Sequence, residues 1–384
     1  MDRKKGRKNV ILLGITSFLN DLSSEMIMPI LPFFLSSLGA SPVLIGLVGG
    51  LRNSLDKLLT IFFGYFSDKV ARRRPFVYGG YITSALFKLV LAFSPNAIFA
   101  SSSASLERIG KGMRDAPRDA MIGKYMPERT GEGFGLHQML DTGGAVCGAV
   151  AAVVLIAVFG TGYTTIILGA GIIAFASIIP LFFLEDNVKI KKKAVDFFGS
   201  LYQIPKELWA FNLIAGLFSL ANFSYMFFLM KAQLSEGLVV PLMLYALFNV
   251  FYAAAAYPLG KKADEIGKRK ILIGGYLLFS LVSLSFSVFS SLAALLLIFV
   301  FYGIAYAAVN LQRAYVVDIA PQRIKATAVG SFQLVVGLAA IPSGLIAGAL
   351  WEIISPEATF VFGALLSMAA AILLFLKMPR SRND

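Results

Sequence analysis

Apolar runs of 18 or more residues recur along the whole of this chain. A run of that length, wound as an α-helix, matches the thickness of a lipid bilayer. In lipid every backbone N–H and C=O needs an internal partner, so only helices or a closed barrel can cross. The runs are too long for barrel strands, which leaves an all-α integral membrane protein. Composition agrees. Hydrophobic residues make up 57% and charged residues 15% of the 384, and the mean hydropathy is +0.75, far from a soluble chain.

The runs resolve into twelve transmembrane helices, at about 10–37, 42–64, 76–94, 97–119, 134–159, 163–184, 208–231, 238–259, 270–289, 291–313, 326–350 and 357–377. Basic residues fall in alternate loops: Arg3 to Lys8, Lys69 with Arg72 to Arg74, Lys124 and Arg129, Lys189 to Lys193, Lys261 to Lys270, Arg323 and Lys325, then Arg380 and Arg382. The opposite loops (39–42, 94–96, 160–163, 290–291, 355–359) hold no Lys or Arg. Positive charge stays inside, so both termini are expected in the cytoplasm of a multi-pass protein of the inner (plasma) membrane. The same pattern accounts for the net charge of +13 and argues against a nucleic-acid partner. The basic start resembles a signal peptide, but the run that follows is too long and contains Asp21 and Glu25. It is expected to be a retained first span.

One stretch is unlike the rest. Glu107 to Asp119 reads ERIGKGMRDAPRD. At about 100° per residue, Glu107, Arg108, Lys111, Arg114, Asp115, Arg118 and Asp119 fall within an arc of roughly 140°. Each charged residue at a helix centre in lipid costs about 2.5–3.5 kcal/mol. With Arg118 and Asp119 placed at the interface, the remaining five would cost roughly 12–17 kcal/mol. This arc must face other charges or a wet cavity, while Gly110 and Gly112 pack on a neighbour.

The halves repeat. Gly64 and Asp68 followed by Arg72-Arg73 recur as Gly260 and Asp264 followed by Lys268-Arg269, Pro127-Glu-Arg129 recurs as Pro321-Gln-Arg323, and Gly135-Leu-His-Gln138 recurs as Gly330-Ser-Phe-Gln333. Three matches at nearly one offset imply two six-helix pseudo-repeat bundles, residues 1–185 and 207–384, joined by a cytoplasmic linker at 186–206. The segment from Phe197 to Ile204 in that linker is expected along the membrane surface.

With these features the chain resembles the major facilitator superfamily over essentially its whole length. The loop after the second span, Gly64-Tyr65-Phe66-Ser67-Asp68-Lys69-Val70-Ala71-Arg72-Arg73, is similar to the superfamily's G-x-L-A-D-R-x-G-R-R, with Lys69 and Ala71 departing. The resemblance implies that Asp68 caps or pairs at the domain interface and that Arg72 reaches an acid on a neighbouring helix, with Asp119 the candidate. Arg108-Ile109-Gly110-Lys111-Gly112 is similar to R-x-x-Q-G of proton-coupled members, with Lys in place of Gln. That resemblance implies a role for Arg108 in proton transfer. Gly144 to Ala149 is similar to the antiporter pattern G-x-x-x-G-P without its proline; a GxxxG in a span is otherwise a packing motif for Gly144 and Gly148. Asn20 to Glu25, taken with the span-four stretch, resembles a prokaryotic branch with drug/proton-antiporter-like signatures.

Ionisable residues inside a membrane are expected to serve function. Asp21 and Glu25 share a face of the first span and repel each other, which one of them relieves by taking up a proton. The alternative is permanent pairing with the bases of span four. Asp141, deeper on span five than His137, is a second candidate for a proton site or a partner for Arg108; His137 is expected to meet water. Arg52 and Asp56 are spaced to pair with each other, and Lys88 is expected to reach outward toward the membrane surface. Phe223, Tyr225, Phe227 and Phe228 with Tyr245, Phe248, Phe251 and Tyr252 make the second half an apolar wall.

The chain has no Walker sequence, which excludes an ATP-driven pump within it, and a single Cys147 and a single His137 speak against a metal centre. No cofactor and no enzyme activity are expected. The expected function is secondary active transport of a small molecule by alternating access, as a monomer in the bilayer. One version is proton-coupled export of amphiphilic or drug-like compounds. Another is proton- or sodium-coupled transport of an organic anion, suggested by the surplus of bases on span four. A non-transporting sensor or lipid scramblase is the alternative of another class.

Overall fold

The computed structural model describes residues 3–70, 72–185, 203–321 and 324–378. The lysine run at 189–193, residues 197–202 of the expected surface segment, and Arg323, Arg380 and Arg382 lie outside the described residues. Among the described residues the fold is all-helical. Ten helical segments are long and apolar enough to cross a membrane. The expected spans two and four also form helices, of 29 residues each, but they carry more charge.

Contacts divide the chain into two compact units, Met1–Gly39 with Leu55–Val195, and Ala40–Ser54 with Asp196–Asp384. The first unit contains α1 (Arg3–Ile27), α2 (Leu31–Ser37), most of α3 (Pro42–Val70), α4 (Arg74–Ala92), α5 (Ala97–Tyr125), α6 (Thr130–Ala157) and α7 (Tyr163–Ala176), which ends in a 3₁₀ turn at Ile179–Phe183. The second contains the start of α3 with α8 (Lys206–Ala221), α9 (Tyr225–Glu236), α10 (Val239–Ile266), α11 (Lys268–Val288), α12 (Leu292–Val309), α13 (Gln312–Ile319), α14 (Lys325–Ile353) and α15 (Pro356–Lys377).

Three expected spans are broken helices. The first stops at Ile27 and restarts at Leu31. Pro29 has no N–H to donate, and Pro32 suits the first turn of α2. The seventh breaks between Ala221 and Tyr225, where the Ser224 hydroxyl accepts from the Met226 N–H at 3.3 Å and starts the new helix. The tenth breaks at 310–311. In contrast α5 runs unbroken through Pro117. Asn96 starts it by accepting from the Phe99 N–H at 2.9 Å.

In the first unit α6 lies on α1 through glycine. A Cβ on Gly144 or Gly148 would run into the backbone of Phe18 or Leu22, so these two positions let the helices touch along their main chains. Gly110 of α5 meets Gly80 and Ser84 of α4 in the same way, and Gly112 meets Leu59 of α3. Val10, Leu13, Val77, Met121, Ile122 and Leu181 belong to one buried apolar cluster of the unit.

The second unit is built on aromatic rings. Phe228 stacks on Tyr302 at 4.5 Å and meets Phe286 edge-on at 4.9 Å. Phe248 lies 4.7 Å from Tyr302, and Phe223, Phe227 and Phe228 are buried. Between α10 and α11 the chain turns at Gly267, whose φ of 97° strains any residue with a Cβ.

Candidate functional site

The charged face of α5 turns into the first unit. Arg114 is buried, at 2% exposure. Its guanidinium sits 4.5 Å over the ring of Tyr81 on α4 and 3.8 Å from Asp115. The aromatic face and the carboxylate offset part of the lost hydration, while Nε and Nη1 of Arg114 stay without a hydrogen-bond partner among the described residues. Arg118 reaches Asp115 at 3.4 Å and Asp119 at 3.2 Å. Arg108 meets Glu107 at 3.2 Å and points a terminal nitrogen at the Met28 sulfur, 3.2 Å away at the α1 break. Glu107 is buried and accepts from the Ser84 hydroxyl of α4 at 2.6 Å. Lys111 faces Asp56 of α3 at 3.7 Å. The helix thus meets its charges with partners on α3, α4 and itself rather than with lipid.

The facing acids come from α1 and α6. Asp21 is half-buried and accepts from the Asn20 amide at 3.3 Å. It lies within electrostatic reach of Asp141, Lys111, Arg114 and Arg118. Asp141 is half-buried on α6. Glu25, one turn above Asp21, stands beside Gly148. Asp21, Asp141, Lys111, Arg114, Asp115 and Arg118 are thereby brought into one region of the first unit.

Two expectations are corrected. Lys88 does not reach outward. It is buried, at 2% exposure, and donates to the Asn20 carbonyl (3.3 Å) and the hydroxyls of Ser23 (3.0 Å) and Ser24 (2.8 Å) on α1. Three acceptors on the facing helix satisfy the ammonium better than a long reach to the surface. His137 does not meet water either. It is buried against the Ser17 hydroxyl, with 2.8 Å from Nε2 to Oγ. Ser17 in turn contacts the Tyr81 hydroxyl (3.0 Å) and accepts from Arg118 (3.3 Å). Ser17 and Tyr81 escaped the sequence reading because neither carries charge. The only available signal was that Ser17 precedes Asp21 by one turn, as His137 precedes Asp141.

Gly64 and Asp68, expected in a loop, lie in the last turns of α3, and Arg72 and Arg73 follow it. Gly64 packs tightly on Ala116 of α5. Asp68 accepts from Arg73 at 2.9 Å, and Arg73 also donates to the Ala120 carbonyl at 2.9 Å. Arg73 therefore staples the end of α3 to α5, while Arg72 is exposed and Asp119 takes Arg118. In the second unit Asp264 is exposed and pairs with Lys268 at 2.9 Å, which also meets Asp318 at 2.6 Å. Lys231 pairs with Glu357. Among the described residues no group of His, Cys, Asp and Glu is placed to hold a metal ion.

Comparisons with known proteins agree with this architecture. The sequence profile of the Major Facilitator Superfamily matches residues 13–248 and 237–384. An uncharacterized MFS-type transporter of Methanocaldococcus jannaschii is 45% identical over 375 residues, which cover 96% of this chain and 94% of that one. Multidrug resistance protein MdtH of Shigella dysenteriae is 32% identical over 118 residues, 30% of this chain and 29% of its own. The crystal structure of the nucleoside transporter NupG superposes with a TM-score of 0.76 at 15% identity, covering 98% of each chain. A bacterial homologue of the human lysosomal transporter Spinster superposes with a TM-score of 0.77 at 14% identity, covering 96% of each. The two structures share the fold. The all-helical architecture, the profile match over nearly the full length and the archaeal relative establish that this chain belongs to the Major Facilitator Superfamily of membrane transporters.

Proposed function

We propose that the protein is a secondary active transporter that exports amphiphilic or drug-like molecules by alternating access, driven by protons. In this reading the twelve spans form two six-helix bundles, 1–185 and 207–384, with both termini in the cytoplasm of the plasma membrane. The protein works as a monomer and has no catalytic role or cofactor. One observation carries the coupling: acids from α1 and α6 lie together with the bases of α5 inside an otherwise apolar bundle. Such groups are retained in membranes where they move ions or protons. The partial similarity to MdtH supports export. Asp21, Glu25, Asp141, Arg108, Lys111, Arg114 and Asp115 are the coupling residues in this reading. Asp68, Arg72, Arg73, Asp119 and Asp264, with Gly64, are gating residues.

Proteoliposomes test it. A pH gradient should drive a lipophilic cation in wild type and fail to do so in Asp21→Asn and Asp141→Asn. Full activity in both variants removes the proton role. A second reading, transport of an organic anion, is favoured by the four bases that α5 presents between 108 and 118. A thermal-shift panel separates the two. A ligand specific to the folded state adds about 2.7 kcal/mol at a hundredfold excess over its Kd. Stabilisation by organic anions, lost in Arg108→Ala or Lys111→Ala, selects the anion reading. Stabilisation by lipophilic cations at high pH, lost in Asp21→Asn, selects export.

A further inference from the structure

α1 and α6 run side by side with a fixed register. Gly144 lies against Phe18 and Gly148 against Leu22, four residues on in both helices, so the two rise together. On the neighbouring face Ser17 touches His137 at 2.8 Å. Asp21 and Asp141 stand one turn, about 6 Å, further along the same two helices. The first pair is a hydroxyl and an imidazole; the second is two carboxyl groups, which lie within electrostatic reach of each other.

The hydrogen bonds at Ser17 have two directions. Ser17 has one proton to donate and two lone pairs. Arg118 is a donor in every state and occupies one lone pair. Either Tyr81 donates to Ser17 and Ser17 donates to His137, or His137 donates to Ser17 and Ser17 donates to Tyr81. The heavy atoms are the same in both. The imidazole can therefore be a neutral acceptor or a protonated donor at Nε2 without any rearrangement of the bundle. The groups that face it are Asp21 on α1, Tyr81 on α4, and Asp115 and Arg118 on α5, with Asp141 on its own helix. The start of α6 is open: a Cβ at Gly131 or Gly135 would meet nothing within 4 Å. The turns just before His137 are thus left uncovered by the other described residues, while His137 itself is buried.

We propose that His137, held by Ser17, is the proton relay between water at the start of α6 and the Asp21–Asp141 pair. An O–H bond of a hydronium ion breaks as an N–H bond forms on the neutral imidazole, leaving water, and the Ser17 hydroxyl turns to Tyr81 when Nε2 is the protonated atom. An N–H bond then breaks as an O–H bond forms on one carboxylate of the pair. The ring returns to neutral. No oxidant, metal or further reactant enters. The relay rests on the proton-coupled reading of the same acids.

Two measurements on the detergent-purified full chain separate the relay from that reading. Infrared titration follows the protonated-carboxyl band, and a stopped-flow acid jump with an indicator dye follows the rate of proton uptake. Wild type should show a carboxyl that titrates and is lost in both Asp21→Asn and Asp141→Asn. His137→Gln should keep that carboxyl at equilibrium and fill it at least tenfold more slowly. In His137→Ala added imidazole should restore the rate, which a merely structural role would not predict. Ser17→Ala, which keeps the ring and removes its partner, should also slow uptake and serves if position 137 tolerates no change. An unchanged rate in His137→Gln overturns the relay and leaves proton coupling standing. Absence of the titrating carboxyl in wild type overturns both.

Discussion

The fourth span of the first half and its counterpart in the second half solve opposite problems. Aligned on Pro127 and Pro321, Arg108 corresponds to Tyr302, Lys111 to Ala305, Arg114 to Ala308 and Arg118 to Gln312. The helices that pack on them even keep a Gly-Gly-Tyr, at 79–81 and 274–276. Tyr81 carries the Arg114 cation on its ring at 4.5 Å and contacts Ser17 through its hydroxyl. Tyr276 stacks on Phe218 at 4.0 Å, and its hydroxyl accepts from Gln312 at 2.6 Å. One frame therefore encloses ions in the first unit and rings in the second. Ring packing needs only shape, whereas buried ions need a partner for each charge. The difference teaches that spans at matching places in the chain can be filled in opposite ways, and that the charged filling is the costlier of the two.

The largest effect should come from breaking the charged side. Arg114→Leu takes the cation off the Tyr81 ring and leaves Asp115 with Arg118 alone, and should destabilise by about 3–5 kcal/mol, seen as a large drop in apparent Tm in detergent. A variant as stable as wild type would make the cluster dispensable. On the aromatic side Phe228→Ala should also lose about 3–5 kcal/mol by opening a cavity, while proton uptake after an acid jump keeps its wild-type rate. Slowed uptake there would blur the contrast between the halves. Lys88→Met preserves the apolar length of the side chain but deletes three hydrogen bonds to α1. About 1–3 kcal/mol should be lost, with hydrogen exchange rising around the Met28–Ile30 break.

The smallest effect lies at the surface. Glu185 is clasped by Lys8 at 2.8 Å and Lys5 at 3.5 Å, and its backbone pairs with the Asn9 amide. The Lys8 hydrogen bond and the charges of both lysines hold its carboxyl below the usual carboxylate range. A lowered value means that the clasp contributes above the carboxylate's unfolded pKa and is lost as pH falls through the lowered one. Glu185→Gln should lower apparent Tm slightly at neutral pH and not at all in strong acid. Equal loss at both pH values would place the effect in the Asn9 backbone pairing instead.

Much of this was legible in the chain. The arc from Glu107 to Asp119 required an inward face because its charges recur at helical spacing. The glycines opposite required close neighbours, and Gly110 against Gly80 and Gly112 against Leu59 supply them. Less legible were the polar partners. Lys88 read as a residue reaching for water, since Ser23 and Ser24 carry no signal that they face it from 65 residues away. Asp56 was expected to take Arg52 from the same helix; Lys111 of α5 faces it at 3.7 Å. Local spacing names the partners a residue has within one helix and is silent on those a neighbour brings. The break at Pro29 was hinted by its prolines, whereas the break at 222–224 has no proline and rests on the Ser224 cap.

By itself the sequence determined that the chain is an all-helical membrane protein with a dense arc of charge on one face of one helix. These properties follow from length, periodicity and the cost of unpaired polar groups in lipid, all of which are local or additive along the chain. Tertiary structure alone decided which charge meets which. Packing α6 on α1 through Gly144 and Gly148 set the register that puts His137 on Ser17. Packing α4 on α5 through Gly80 and Gly110 put Arg114 on Tyr81. A one-turn slip in either register would change every partner while leaving each helix as apolar as before, so no property of a single helix could have named them.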